Sequence, residues 1–249
     1  SRFGIVLSIK NIKYINSLLK KNKYLKLNGV HCHLPYRSLS SFKERSIEIS
    51  KILNKINFTT KKIKINIGGG FNSLMKKEFW KKNNLEKAVT FKKYSEIISK
   101  NLHVGNDNVK KIELWTEPGT ALISNALDYY CKVMSVKKID GKLFANTSGS
   151  IYDIKPNSKS IILDIDSLIK KRKYINLKKY FLCGYTCIEN DFLSKCFNGN
   201  LKEGDILKIK DVGSYSFSMK PNFIKPKPAV YLKDNKKYTL IQKEETLIQ

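Results

Sequence analysis

The stretch Ile63-Lys64-Ile65-Asn66-Ile67-Gly68-Gly69-Gly70-Phe71 decides the fold. Isoleucine at every second position predicts a strand over Ile63–Ile67 with one buried face. Three glycines follow at once. They leave backbone N–H groups uncovered by side chains, in a turn able to cradle a phosphate, with a plain tight turn as the competing reading. On the N-terminal side, Phe42, Ile47, Ile49, Ile52, Leu53 and Ile56 recur at helical spacing. Before them Leu25–Leu34 reads as a strand, Ile12, Ile15, Leu18 and Leu19 as a helix, and Phe3–Leu7 as a first strand. On the C-terminal side, Phe91–Leu102 is helical and Ile112–Thr116 is a fourth strand. Strand–helix alternation at this spacing gives βα units and a parallel sheet. Four such units are half of an eight-stranded barrel, with two raw edges unless something completes the sheet.

After Pro118-Gly119 the pattern changes. Short strand-like runs dominate, at Tyr129–Val136, Ser160–Ile165, Ile206–Ile209, Ala229–Leu232 and Tyr238–Ile241. Turn signals such as Asp140-Gly141 and Glu203-Gly204-Asp205 separate them. The expectation is an α/β domain over residues 1–119 and an all-β domain over 120–249. The chain has 249 residues, 41% of them hydrophobic, enough for real cores.

Lys and Arg number 48 against 21 Asp and Glu, a formal charge of +27. The lysines are spread along the chain, Asn and Ile are abundant and Arg is scarce, as an AT-rich coding sequence would dictate. A specific nucleic-acid site should instead concentrate its charge on one face, so no specific nucleic-acid partner is expected. No apolar run approaches a membrane span. Five scattered cysteines point to reduced thiols in a cytoplasm-like compartment. Cys183 and Cys187 lack a second close pair, so no metal site is expected.

Within Gly29-Val30-His31-Cys32-His33-Leu34, alternation puts His31 and His33 on one face at a strand end, where barrel active sites form. Satisfied polar residues in the interior are an equal alternative. Trp115-Thr116-Glu117-Pro118-Gly119 places a carboxylate after the next strand, where a protonated ring nitrogen or a lysine would serve as partner. Gly184-Tyr185-Thr186-Cys187-Ile188-Glu189-Asn190-Asp191 holds a thiol in a polar loop, and Asp211-Val212-Gly213-Ser214-Tyr215 follows a later strand.

In their order and spacing these five segments resemble the ornithine/diaminopimelate/arginine decarboxylases, pyridoxal-phosphate-dependent enzymes of fold type III. The resemblance implies the C-terminal half of an alanine-racemase-like (β/α)8 barrel followed by a β-sandwich or barrel-like domain. It implies that His33 stacks on the pyridine ring, that Gly68, Gly69, Gly70 and Tyr215 hold the cofactor phosphate, that Gly119 also belongs to the cofactor site, and that Glu117 keeps the ring nitrogen protonated. Cys187 would return a proton to the carbanion left by CO₂, acting across a homodimer with shared active sites. Glu189 and Asp191 would bind the amino-acid substrate. Several positions depart from the family pattern. Thr120 stands where an Arg is usual, Pro35-Tyr36 replaces Gly-Ser, and Ile188 replaces an acidic residue. These departures are similar to a subgroup acting in siderophore or peptide assembly, and they set polyamine, lysine and siderophore biosynthesis side by side as settings. The family's cofactor lysine, in an early Ala-x-Lys-Ala-Asn-like motif, has no counterpart here. The expectation is therefore an N-terminally incomplete carboxy-lyase. The alternative is a truncated, non-catalytic homologue that serves as an interaction partner or is a relic.

Overall fold

The computed structural model describes residues 3–6, 8–58, 60–72, 81, 89–105, 109, 111–154, 163–168 and 177–246. These divide into two compact units that part between Leu122 and Ile123.

In the first unit, helix α1 (Ile9–Lys21) leads to strand β1 (Gly29–His31), helix α2 (Leu39–Leu53), strand β2 (Lys62–Asn66), helix α3 (Phe91–Asn101), strand β3 (Lys111–Trp115) and the short helix α4 (Gly119–Ile123). A hydroxyl begins each long helix. Ser8, Ser38 and Thr90 accept from the N–H three residues on, satisfying one of the first-turn donors. The three strands form a parallel sheet in the order β1-β2-β3, with His31 opposite Asn66 and Asn66 opposite Trp115. Ile63, Ile65 and Ile67 are fully buried, as are Phe42 and Leu53 of α2. Phe71 closes this core, with its ring 4.7 Å from Phe42 and 4.9 Å from Tyr94. The opposite face of β2 carries Lys62 and Lys64, both exposed. The expected strand Phe3–Leu7 does not form over Phe3–Val6, and Leu7 lies outside the described residues. Phe3, Ile5 and Val6 are exposed, and an apolar run becomes a strand only where it finds a partner to bond. Likewise Leu25–Leu34 contracts to the three residues of β1 that pair with β2.

The second unit is mostly strands: β4 (Tyr129–Ile139), β5 (Lys142–Thr147), β6 (Ile165–Ser167), β7 (Lys178–Cys183), β8 (Phe192–Gly199), β9 (Ile206–Ile209), β10 (Val230–Asp234) and β11 (Lys237–Gln242). Two single-turn helices interrupt them, α5 (Ile151–Ile154) and α6 (Ser216–Met219). Six strands form one sheet in the order β6-β9-β4-β5-β7-β8, antiparallel except for the parallel pair β5–β7. Among the described residues, strands β10 and β11 pair only with each other. At the β4–β5 hairpin, Asp140 and Gly141 both have positive φ, the conformation a two-residue turn requires. Cys131, Val133, Ala145, Tyr180, Leu182, Leu207 and Ile209 form the core. Of the expected run Ser160–Ile165, residues 160–162 lie outside the described ones, and the strand found there is Ile165–Ser167. No helix among the described residues is long and apolar enough to cross a membrane.

Candidate active site

His33, Gly68 and Glu117 come together because the parallel ladder continues beyond the strand ends. Cys32 N–H bonds Asn66 O at 2.9 Å, Ile67 N–H bonds Trp115 O at 3.0 Å, and Glu117 N–H bonds Gly68 O at 3.0 Å. All three segments thus leave the C-terminal end of the sheet in register, where active sites of parallel barrels are built.

The glycines are required by crowding. Gly68 and Gly70 have φ of 73° and 94°, which side-chain-bearing residues rarely adopt. A Cβ on Gly69 would lie 2.5 Å from Glu117 O. The expectation that all three N–H groups face a ligand needs correction. Gly68 N–H donates to Asn66 Oδ1 at 2.9 Å and Gly69 N–H donates to His33 Nδ1 at 3.1 Å. Both donors are already taken up by neighbouring side chains, a carboxamide and an imidazole. Among the described residues only the Gly70 N–H of the three has no protein acceptor. Gly119 N–H likewise turns back, to Glu117 O at 2.9 Å.

Glu117 is half exposed. Asn66 Nδ2 donates to its Oε1 at 2.8 Å, and His31 Nε2 stands 3.5 Å from the same oxygen. His33 Nδ1 lies 3.6 Å from Oε2. This last contact is no ion pair, since a nitrogen accepting from Gly69 has no proton there to give. The imidazole therefore carries its proton on Nε2. Donor atoms of His31, His33 and Glu117 lie within 4.8 Å of one another. In the observed arrangement Asn66 already holds Glu117 and Gly69 holds His33.

Two residues not anticipated from sequence organise the turn. Asn66 bonds Gly68 through its oxygen and Glu117 through its nitrogen. Arg45 of α2 is fully buried beneath the glycines. It donates from Nε to Ser41 Oγ, from Nη1 to Ile67 O (3.0 Å) and Gly69 O (2.7 Å), and from Nη2 to Leu34 O (2.9 Å) and Tyr36 O. The Phe42 ring stacks 4.2 Å from the guanidinium. Burial lowers the Arg45 pKa and also raises that of Cys32 on the reverse side of its strand. The one sequence signal for Arg45 is its place on the apolar stripe Phe42–Ile49–Leu53.

Cys187 and Tyr215 belong to the second unit. Cys187 is exposed on a loop gathered around Asp191. Asp191 was expected to bind substrate, and its position corrects that. It is buried, and its oxygens accept from Ser150 Oγ and Ile151 N–H (both 2.9 Å) and from Thr186 Oγ1 (2.7 Å) and N–H (3.1 Å). A Cβ on Gly184 would sit 2.0 Å from this carboxylate, so glycine is required there. Glu189, by contrast, is exposed on the same loop. Tyr185 anchors the loop a second time, donating to Asp153 Oδ1 at 2.9 Å. Tyr129 donates to Oδ2 of Asp153 at 2.6 Å, and the buried Lys220 ammonium lies 3.3 Å from Oδ1. Burial and Asp153 together raise the pKa of both tyrosines. Tyr215, half exposed, has φ of 64°, a conformation strained for a bulky residue. Gly213 just before it packs against the backbone so closely that a Cβ would fall 1.9 Å from Ile123 O.

Residues 1–124 match the family profile described as the pyridoxal-binding domain of pyridoxal-dependent decarboxylases. The chain is 27% identical over 227 residues to the diaminopimelate decarboxylase of Vibrio cholerae, covering 89% of this chain and 51% of that protein. The M. jannaschii diaminopimelate decarboxylase structure superposes with a TM-score of 0.79 at 22% identity, over 99% of this chain and 56% of that one. The Helicobacter pylori enzyme, solved with L-lysine, gives 0.75 at 20% identity, over 95% and 57%. The chain thus spans about half the length of the relatives it matches. The glycine turn, the histidine strand and Glu117, joined at one sheet end, all lie within the matched residues, and the chain belongs to the pyridoxal-phosphate-dependent decarboxylases of fold type III.

Proposed function

We propose that the whole protein is a pyridoxal-phosphate-dependent amino-acid carboxy-lyase and that its substrate is of the diaminopimelate type. The substrate reading rests on the V. cholerae relative, named a diaminopimelate decarboxylase, and on the H. pylori relative, whose structure holds L-lysine. The observation that carries the activity is Glu117, held by Asn66 at the strand end beside a turn too tight for any side chain. The residues fit the cofactor: a free N–H at Gly70 for an anion, a carboxylate for a ring nitrogen, and a neutral imidazole for a ring face. When bound, that cofactor supplies an electron sink for the pair released as CO₂ leaves. Glu117 then holds a proton on the ring nitrogen. His33, its tautomer set by Gly69, presents a flat uncharged surface. The Cys187 thiol, exposed in a polar loop, delivers the closing proton to the substrate carbon, with Glu189 beside it for a charged substrate end and the Tyr215 hydroxyl for the phosphate. A homodimer sharing its sites and a cytoplasmic setting belong to the same reading, which needs neither nucleic acid nor membrane.

The test is direct. The full protein is given pyridoxal phosphate and diaminopimelate, and released CO₂ and lysine are measured. Stoichiometric lysine supports the reading. Cofactor binding without turnover of diaminopimelate, ornithine, arginine or lysine would favour a non-catalytic homologue.

A further inference from the structure

We propose that Arg45 is the positioning residue of the glycine turn, aiming the Gly70 N–H outward and placing an uncancelled positive charge behind it for a phosphate dianion. The inference rests on reading the turn as a phosphate cradle.

The orientation follows from peptide geometry. The carbonyl of Gly69 and the N–H of Gly70 belong to one trans peptide plane and point in opposite directions. Arg45 Nη1 holds the Gly69 carbonyl at 2.7 Å, so the Gly70 N–H is turned away from the buried guanidinium. The same nitrogen holds Ile67 O at 3.0 Å, which turns the Gly68 N–H outward too, where Asn66 meets it. Nη2 clamps the carbonyls of Leu34 and Tyr36, fixing the segment after His33 to the same point. All five donors of the guanidinium are thereby used. Polarising a peptide at its carbonyl also strengthens its N–H as a donor.

The charge balance is unusual. A buried cation normally faces a carboxylate. Here, among the described residues, one hydroxyl and four carbonyls satisfy the hydrogen bonds of Arg45 and none neutralises it. An anion on the outer side of the turn would do so through a single layer of backbone. The position after Pro118-Gly119 is Thr120, which supplies no charge of its own. Nor is substitution at Gly70 open, since a Cβ there would meet Tyr36 O at 3.2 Å and Arg45 Nη2 at 3.4 Å.

The test compares pyridoxal phosphate with pyridoxal, which lacks the phosphate, by equilibrium dialysis against the full chain and its Arg45→Met and Arg45→Lys variants. Thermal unfolding is followed in parallel. Arg45→Met should weaken pyridoxal phosphate by about tenfold or more, the loss expected for one charge-assisted hydrogen bond, while pyridoxal stays within about twofold. Arg45→Lys keeps the charge but offers three donors to four carbonyls, and should show a smaller loss in the same ratio. Should Arg45→Met fail to fold, Arg45→Lys carries the test alone. Equal weakening of both ligands, or an unchanged ratio in a folded variant, would overturn the proposal by making Arg45 a fold residue only. If the unaltered chain does not prefer the phosphorylated ligand, the reading of the turn itself falls, whatever Arg45 does.

Discussion

Asn66 occupies one oxygen of Glu117, and among the described residues no donor stands in hydrogen-bond range of Oε2. A ligand nitrogen therefore meets a carboxylate whose orientation is already set. Glu117→Gln keeps the shape and removes the charge. If the whole protein has the proposed decarboxylase activity, the change should lower kcat by about a hundredfold or more, as for loss of one preorganised electrostatic contact. Cofactor affinity, read by titration, should stay within a few fold, because the turn carries the phosphate; a loss confined to affinity would contradict the assignment. His33, the three glycines and Glu117 were legible as a set, through the order and spacing of the segments that carry them, and not one by one. Arg45 and Asn66 were not. An arginine reads as a solvated charge and an asparagine after a strand as a turn former, and only the three-dimensional convergence of carbonyls and N–H groups distinguishes them.

Among the elements, the loop from Gly184 to Asp191 shows how similar residues part roles. Asp191→Ala would strand two hydroxyls and two N–H groups that now converge on it. Stability should fall by about 3 kcal/mol, whereas Glu189→Gln, exposed, should change it by less than about 0.5 kcal/mol. Urea unfolding of the two variants measures both, and equal stabilities would return Asp191 to the surface. Sequence alone placed both acids near substrate, since nothing in an eight-residue polar loop says which side chain folds inward. Strands β5, β7 and β8 went unread for a related reason. Tyr180 and Leu182 do alternate inward on β7, but the exposed lysines at Lys178 and Lys179 mask the run, and the outer faces of β5 and β8 carry Asn, Ser and Lys. The helices of the first unit, with their wider apolar stripes, were placed to within a few residues.

For the molecule as a whole, buried acids of the second unit set its response to alkali. Burial, with Asp153 adding to it against hydrogen bonds from Thr147 and Gly149, pushes the Cys131 thiol from 9.0 up to about 11. Between those values an unfolded chain has lost this proton and the folded one retains it, so folding is fully favoured below pH 9 and the advantage drains away as pH rises toward 11. The loss amounts to about 3 kcal/mol. The raised Tyr129 and Tyr185 act in the same direction above the ordinary tyrosine range. Urea titrations at stepped pH should find a flatter decline between pH 9 and 11 in Cys131→Ala; parallel curves would exclude the thiol. The hairpin of β10 and β11 exposes Tyr231, Leu232, Tyr238, Leu240 and Ile241, on a chain carrying +27. Such a molecule behaves as a charged colloid. Mutual repulsion keeps greasy surfaces apart over the ~10 Å reach of the field in 0.1 M salt, and in 1 M salt that reach shrinks to ~3 Å. Brine that would calm an ordinary basic protein removes that barrier between these surfaces, so its dispersal belongs to dilute buffers.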